Sequence, residues 1–487
     1  MFAGKANTAG QERQNSMEQV KTQQAEQENS ILPSENPLGS APIGRLLAQF
    51  AIPSVISMLV NAIYNIVDQI FIGQGVGYLG NAATTIAFPV VTIVLAVSTM
   101  LGAGGSAYAA IKLGEKKDDE ARHTYGNVFS LSVAFGVVIM VLGLLFLDPL
   151  LNLFGADAET MDYARQYTGI ILLGVPFNVL GVSLSNVART DGKPILSMVS
   201  LLAGAILNII LDPIFIFGLH WGVVGAAVAT SFSQVVSAAV LIWYFFFASK
   251  NKITRHSMRP SGRILRQIAA LGFSSSVLQL ANTVTQIVMN NSLRHYGDLS
   301  NVGGNVALSA MGVVMKTNMI LISICIGIGV GSQPILGYNR GAGNPRRIRR
   351  TYLLATAASV TASTLGWLMC QLFPGPILSI FGTDNATFSE FAVRSMRIFL
   401  GGVLFAGFQI VATSYFQATG QPFKATVLSM LRQILLLIPL VLVLPLWFGL
   451  DGVLYAGVSA DIAAGAVVLL FAGFELRKLS RWIAQEA

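Results

Sequence analysis

Asn61 to Gly73 reads NAIYNIVDQIFIG, the end of a long apolar segment with a single carboxylate, Asp68, set inside it. An ionisable group at such a place costs roughly 2.5 to 3.5 kcal/mol on membrane-insertion scales, so it marks a functional position with a partner to be found. The segment itself is long enough to cross a bilayer core of about 30 Å. Its reading therefore sets both the class of the protein and the first question about its chemistry.

The whole chain has the same character. Of its 487 residues 53% are hydrophobic and only 11% charged, with a mean hydropathy of +0.64; soluble domains carry about 25% charge. This is the composition of a polytopic membrane protein. The two cysteines, Cys325 and Cys370, fall inside apolar runs and read as small core residues rather than a disulfide or thiolate site. His123, His220, His256 and His295 occur singly, so no metal site is expected. The Gly192-Lys193 step is followed by Pro194 where a phosphate-binding loop needs Ser or Thr, so ATP does not power the chain. No nucleophile–base constellation is in reach, and an enzyme is not expected.

Twelve apolar runs follow one another, at about 46–73, 83–111, 123–147, 162–186, 194–218, 222–248, 266–293, 305–337, 350–373, 391–416, 423–447 and 452–475. Residues 1–43 are polar and read as a disordered leader, with 479–487 as a tail. Most of the 31 Lys and Arg residues fall on one side of this pattern, in the leader, alternate loops, the 249–263 linker and the tail. By the positive-inside rule both termini are cytoplasmic. The net charge of +8 then follows from topology and needs no nucleic-acid partner.

Several stretches recur about 227 residues later: LFGAD at 153–157 as IFGTD at 380–384, DGKP at 191–194 as TGQP at 419–422, Gly105-Ser106 as Gly331-Ser332. Six is an even number, so both halves enter the membrane the same way, as a parallel repeat about an axis along the membrane normal. The fold expected is all-α, with twelve transmembrane helices in two six-helix lobes, 44–248 and 264–478, related by a pseudo-two-fold axis. Rocking about the cleft between them would give alternating access.

Depth can be counted at 1.5 Å per residue. Asp68 in the first segment, Asp212 in the fifth and Thr230 in the sixth all come out on the order of 10 Å below the outer surface, with Asn208 one turn deeper on the face of Asp212. Asn208 or Thr230 alone reads equally well as a helix-to-helix hydrogen bond; two aspartates at one level read better as a shared site that takes up a cation. Pro53 and Pro213 are expected to bend their helices. The second half lacks the acids, Met289 standing where Asp68 does. Instead Gln279, Asn282, Gln286 and Asn290 form an amide stripe that either lines a substrate cavity or makes a hydrogen-bond seam. Asn61, Tyr64 and Met289 complete the expected cavity. Lys316, Arg432 and Asp461 read as a structural ion pair or gate element rather than substrate contacts.

Together IPSVISMLVNAIYNIVDQIFIG, GGSAYAAIKLGEK, RTDGKP, LNIILDPIFIFGLHWGVVGAAVAT, GSQPILGYNRGAG and FQATGQPFKATVLSMLRQILLLIPL make the chain resemble the multidrug and toxic compound extrusion (MATE) transporters, over roughly residues 44 to 478. The resemblance implies an efflux antiporter of the bacterial inner membrane, a monomer among membrane lipids. It would exchange protons, or sodium, for cationic or amphipathic compounds without a bound cofactor. It also implies a first-lobe cation site on Asp68, Asn208, Asp212 and Thr230. Sodium-type relatives place acids on helices 7 and 10, where this chain has none, so the DinF-like branch fits better and a proton is favoured. The alternative is a lipid-linked saccharide flippase of the same superfamily, which would need Lys316 and Arg432 free to hold a diphosphate.

Overall fold

The computed structural model describes residues 36–379 and 386–485, and every described element is helical. Twelve helices are long and apolar enough to cross a membrane: α1 Ile43–Val76, α2 Tyr78–Gly114, α3 Asp118–Leu145, α4 Met161–Thr190, α5 Pro194–Gly218, α6 Gly222–Ala248, α7 Gly262–Asp298, α8 Gly304–Gly341, α9 Pro345–Leu372, α10 Thr387–Ala418, α11 Pro422–Phe448 and α12 Leu450–Gln485. Each matches one apolar run, several of them extended by a turn or more into polar flanks, where helical hydrogen bonds form as well as in lipid. The largest difference is at the end: α12 continues to Gln485, so residues 479–485, expected as a tail, are part of the helix.

The repeat is visible in the turns. In DGKP, the amides of Asp191, Gly192 and Lys193 bond to the carbonyls of Val187, Arg189 and Ala188; in TGQP, those of Thr419, Gly420 and Gln421 bond to Tyr415, Gln417 and Phe416. Gly192 and Gly420 have φ of 79° and 78°, the left-handed geometry that closes a helix at a glycine. Pro194 and Pro422 then open the next helix at its first position, where a missing N–H costs nothing. The IFGTD copy of the repeat lies outside the described residues.

Two seams join the lobes, α2 against α7 and α1 against α8. Both depend on glycine. A Cβ on Gly104 would stand 2.0 Å from the Ile268 carbonyl oxygen, and one on Gly272 1.9 Å from that of Met100. Nearer the loops, Gly114 and Gly341 pack the same way between α2 and α8, each leaving 1.9 Å to a facing backbone oxygen. Such approaches are how apolar helices gain packing without a hydrophobic driving force. On α8, Gly327 and Gly331 lie against Val55 and Ala51 of α1. All these contacts lie toward the end of the bundle that carries the basic loops. The outermost hydrogen bond between α2 and α7 joins Thr283 to Thr92 at 3.2 Å; beyond it Gln286 and Asn290, on the same face of α7 as Thr283, are exposed. The lobes are therefore sealed at the basic end and part toward the other.

Residues 1–35 of the expected leader lie outside the described residues, but its last part is ordered. Pro37–Ser40 forms a helical turn with Leu38 buried. Arg347 of α9 donates to the carbonyls of Leu38 and Ala41, and Asn339 of α8 to that of Leu38, so this stretch is tied to the second lobe. The linker between lobes is likewise docked: Asn127 of α3 bonds to Ser257, Arg259 and Ser261, and Asp191 accepts from Ser249 and Asn251.

Candidate functional site

Asp68 lies on α1 eight residues before its end, Asp212 six residues before the end of α5, and Thr230 eight residues into α6. Their helices bring them together. Asn208 Nδ2 donates to Asp212 Oδ1 at 3.2 Å and to Thr230 Oγ1 at 3.3 Å, bridging α5 to α6. The carboxyl groups of Asp68 and Asp212 are within hydrogen-bonding reach of each other, bridging α1 to α5. Asp212 is fully buried and Asn208 is 2% exposed.

Three acceptor oxygens in this cluster have no partner: Asp68 Oδ1, Asp212 Oδ2 and Asn208 Oδ1. Buried acceptors are almost always paired, and two carboxyl groups in contact cannot both stay charged without a cation or a shared proton. The arrangement can thus hold a proton or a small cation between two helices.

Local sequence explains why the cluster sits where it does. Pro213 has no N–H to donate to the preceding turn, and immediately after it Ile214–Gly218 is wound as a π-helix. Gly75 of α1 packs on this wide turn, against Ile216 and Phe217, so α1 meets α5 just beyond the two aspartates. The expected effect of Pro213 thus appears as a change of helical winding. Pro53, by contrast, is buried inside α1, which runs unbroken through it.

Depth counting passed over one residue. Tyr167 of α4 is 7% exposed and lies within electrostatic range of Asp68, Asp212 and Tyr64. It stands six residues into α4, at the level of the others, so extending the count to tyrosines would have included it. Tyr64, expected in the cavity, is likewise beside Asp68.

The other cavity residues divide. Asn61 is exposed, Gln279 half-buried, Gln286 and Asn290 exposed, and Asn282 accepts from Gln433 of α11 at 2.6 Å. Met289 does not join them. It is 2% exposed and packs with Leu293, Ala307, Met311 and Val314 in the core of the second lobe. The alignment that set it opposite Asp68 fixed its level but not its direction. Arg432 and Asp461 do form a buried ion pair between α11 and α12, with Gln409 donating to the Asp461 carbonyl. Lys316 belongs to no ion pair among the described residues, so of its two expected roles the ion pair is not formed.

Comparison with known proteins agrees with this architecture. The MatE family pattern matches residues 53–214 and 297–443. The chain is 29% identical over 444 residues to the multidrug export protein MepA of Staphylococcus haemolyticus (strain JCSC1435), covering 89% of this chain and 94% of that one. Among solved structures, an outward-facing multidrug resistance MATE family transporter of the MOP superfamily superposes with a TM-score of 0.86 at 25% identity, covering 91% of this chain and 98% of that one. A MATE structure described as bent gives 0.82 at 25% identity, over 90% and 96%. With twelve membrane-crossing helices, two like lobes and a family match over more than half its length, the chain belongs to the MATE family of transporters.

Proposed function

We propose that this protein exports small amphipathic or cationic compounds across the bacterial inner membrane, as a monomer with both termini in the cytoplasm, in exchange for an inward-moving cation. The name of the MepA relative supports multidrug export. The observation that carries the exchange is the set of three unpaired acceptor oxygens on Asp68, Asp212 and Asn208, gathered in one lobe. A proton is favoured over sodium because two carboxyl groups in mutual contact are a natural site for one shared proton.

In the proposed cycle the lobes, sealed at the basic end, release substrate from the open side. Protonation removes the repulsion between Asp68 and Asp212 and lets α1 shift on the π-wound turn of α5, with Pro53 as a second point of weakness. That movement collapses the first-lobe side of the cleft and expels the substrate; a relative's bent form is consistent with such motion. The flippase alternative loses support, because of the two residues it would need, Arg432 is already neutralised by Asp461.

The test is counter-transport in proteoliposomes with a dye substrate, imposing a proton gradient and a sodium gradient separately. Dye export driven by the proton gradient alone is expected. Drive by sodium alone would reassign the ion, and dye movement insensitive to both would overturn the exchange.

A further inference from the structure

The outer half of α8 carries an exposed stripe that does not suit lipid. Asn305, Ser309, Gly312, Lys316 and Met319 recur at spacings of four and three, so they share one helix face, and all five are exposed. A lipid-facing stripe inside a spanning helix is apolar, and charged residues there turn to a partner or a watery cavity. Followed toward the basic end, the same face reaches Ser323 and then Gly327 and Gly331, where Val55 and Ala51 of α1 lie against it. The stripe is therefore the open continuation of the seam between lobes. The antiparallel register of those contacts sets Lys316 level with Ile66 of α1, beside the exposed amides of Asn65 and Gln69. Asp68 is only two residues further along α1, but its carboxyl is turned the other way, toward Asp212.

The two walls of the cleft thus differ in charge. The first lobe turns its carboxyl groups inward, Asp68 half-buried and Asp212 buried, while the second presents amides and the Lys316 ammonium, which is in no ion pair among the described residues. We infer that Lys316 is a specificity-determining residue, which takes the carboxylate or phosphate group of an amphiphile in the cleft. The amides of α7 and the apolar walls would hold the rest of the molecule. This rests on the cleft being the substrate path. It extends the substrate class beyond purely cationic compounds to ones that bear an acidic group, zwitterions included. Where the anion is a phosphate, it can belong to a lipid headgroup or to a free solute.

The test uses the full chain and a matched pair of xanthene dyes, one with a free carboxylate and one its methyl ester. Wild type, Lys316→Gln and Lys316→Arg are compared for transport in phosphatidylcholine vesicles and for dye binding in detergent. Lys316→Gln is expected to weaken binding and transport of the acid about 10-fold or more, the scale of one charge-assisted hydrogen bond, with the ester unchanged and Lys316→Arg retaining the acid. Adding phosphatidylglycerol separates the sources: a lipid effect on ester transport in wild type that Lys316→Gln abolishes assigns the anion to a headgroup. Equal change for acid and ester, or none for either, with no lipid effect, overturns the inference. If wild type moves neither dye under any gradient, the proposed function fails, while the acid-to-ester ratio in binding still decides the role of Lys316.

Discussion

Asp68 of α1 and Asp212 of α5 hold their carboxyl groups within hydrogen-bonding reach of each other, with Asp68 Oδ1 and Asp212 Oδ2 left without a partner. Desolvated like charges repel strongly, so in the proposed exchange a proton or cation between them relieves the contact. Asp68→Asn and Asp212→Asn keep the shape and remove the exchangeable charge. Each is expected to cut gradient-driven export in inverted vesicles at least about 10-fold, the effect of losing a general proton-transfer group, with the dye still bound. Wild-type export by either variant would show that the pair does not carry the coupling ion. Asp212→Asn is also expected to raise the melting temperature at neutral pH, since it removes a buried charge.

The glycine pair Gly104 and Gly272 sets how closely the lobes close. Gly104→Val would push a side chain into the Ile268 carbonyl, and backbone cannot rotate away as a flexible side chain would. The lobes must part, so the sealed form loses population. A cysteine placed at Thr283, which bonds to Thr92 across the seam, should react faster with a water-soluble maleimide in the Gly104→Val background. An unchanged labelling rate would mean that the seam yields elsewhere.

Arg432 and Asp461 are a structural pair. Asp461 is 2% exposed and packs on Gly402, so Arg432→Met leaves a buried charge unpaired. The expected loss is about 3 to 5 kcal/mol, largely restored in Arg432→Met with Asp461→Leu. Thermal unfolding followed by size-exclusion fluorescence measures both. A single variant as stable as the parent would point to a proton on Asp461 instead of an ion pair.

Met289 and Gln286 are three residues apart on α7 and should behave oppositely. Met289→Ala empties part of a packed core and is expected to cost about 2 to 5 kcal/mol without altering which dyes are transported. Gln286→Ala, at an exposed position, should leave stability within about 0.5 kcal/mol and change apparent dye affinity. Transport profiles across a small dye panel, read beside melting curves, separate the two. A shifted profile for Met289→Ala alone would return that residue to the cavity.

Much of this protein is written along the chain in one dimension. Membrane crossing needs about 20 apolar residues, so the helices can be counted; a turn such as DGKP or TGQP needs its glycine, so the repeat can be read. Depth follows from a fixed rise per residue, which is why Asp68, Asp212 and Thr230 could be set at one level, with Asn208 one turn deeper, before any packing was known. Direction around the helix axis has no such rule. It depends on which neighbour each face meets, and that was settled only when the helices packed. Packing turned Met289 into the core and Tyr167 toward the carboxyl groups. It paired Arg432 with Asp461 but left Lys316 on an open face, and it brought the stretch at 37–40 under Arg347. The sequence by itself determined the levels at which polar groups lie in the membrane; only the tertiary structure decided which of them touch, because contact between helices is fixed by close packing across glycine seams that no local pattern records.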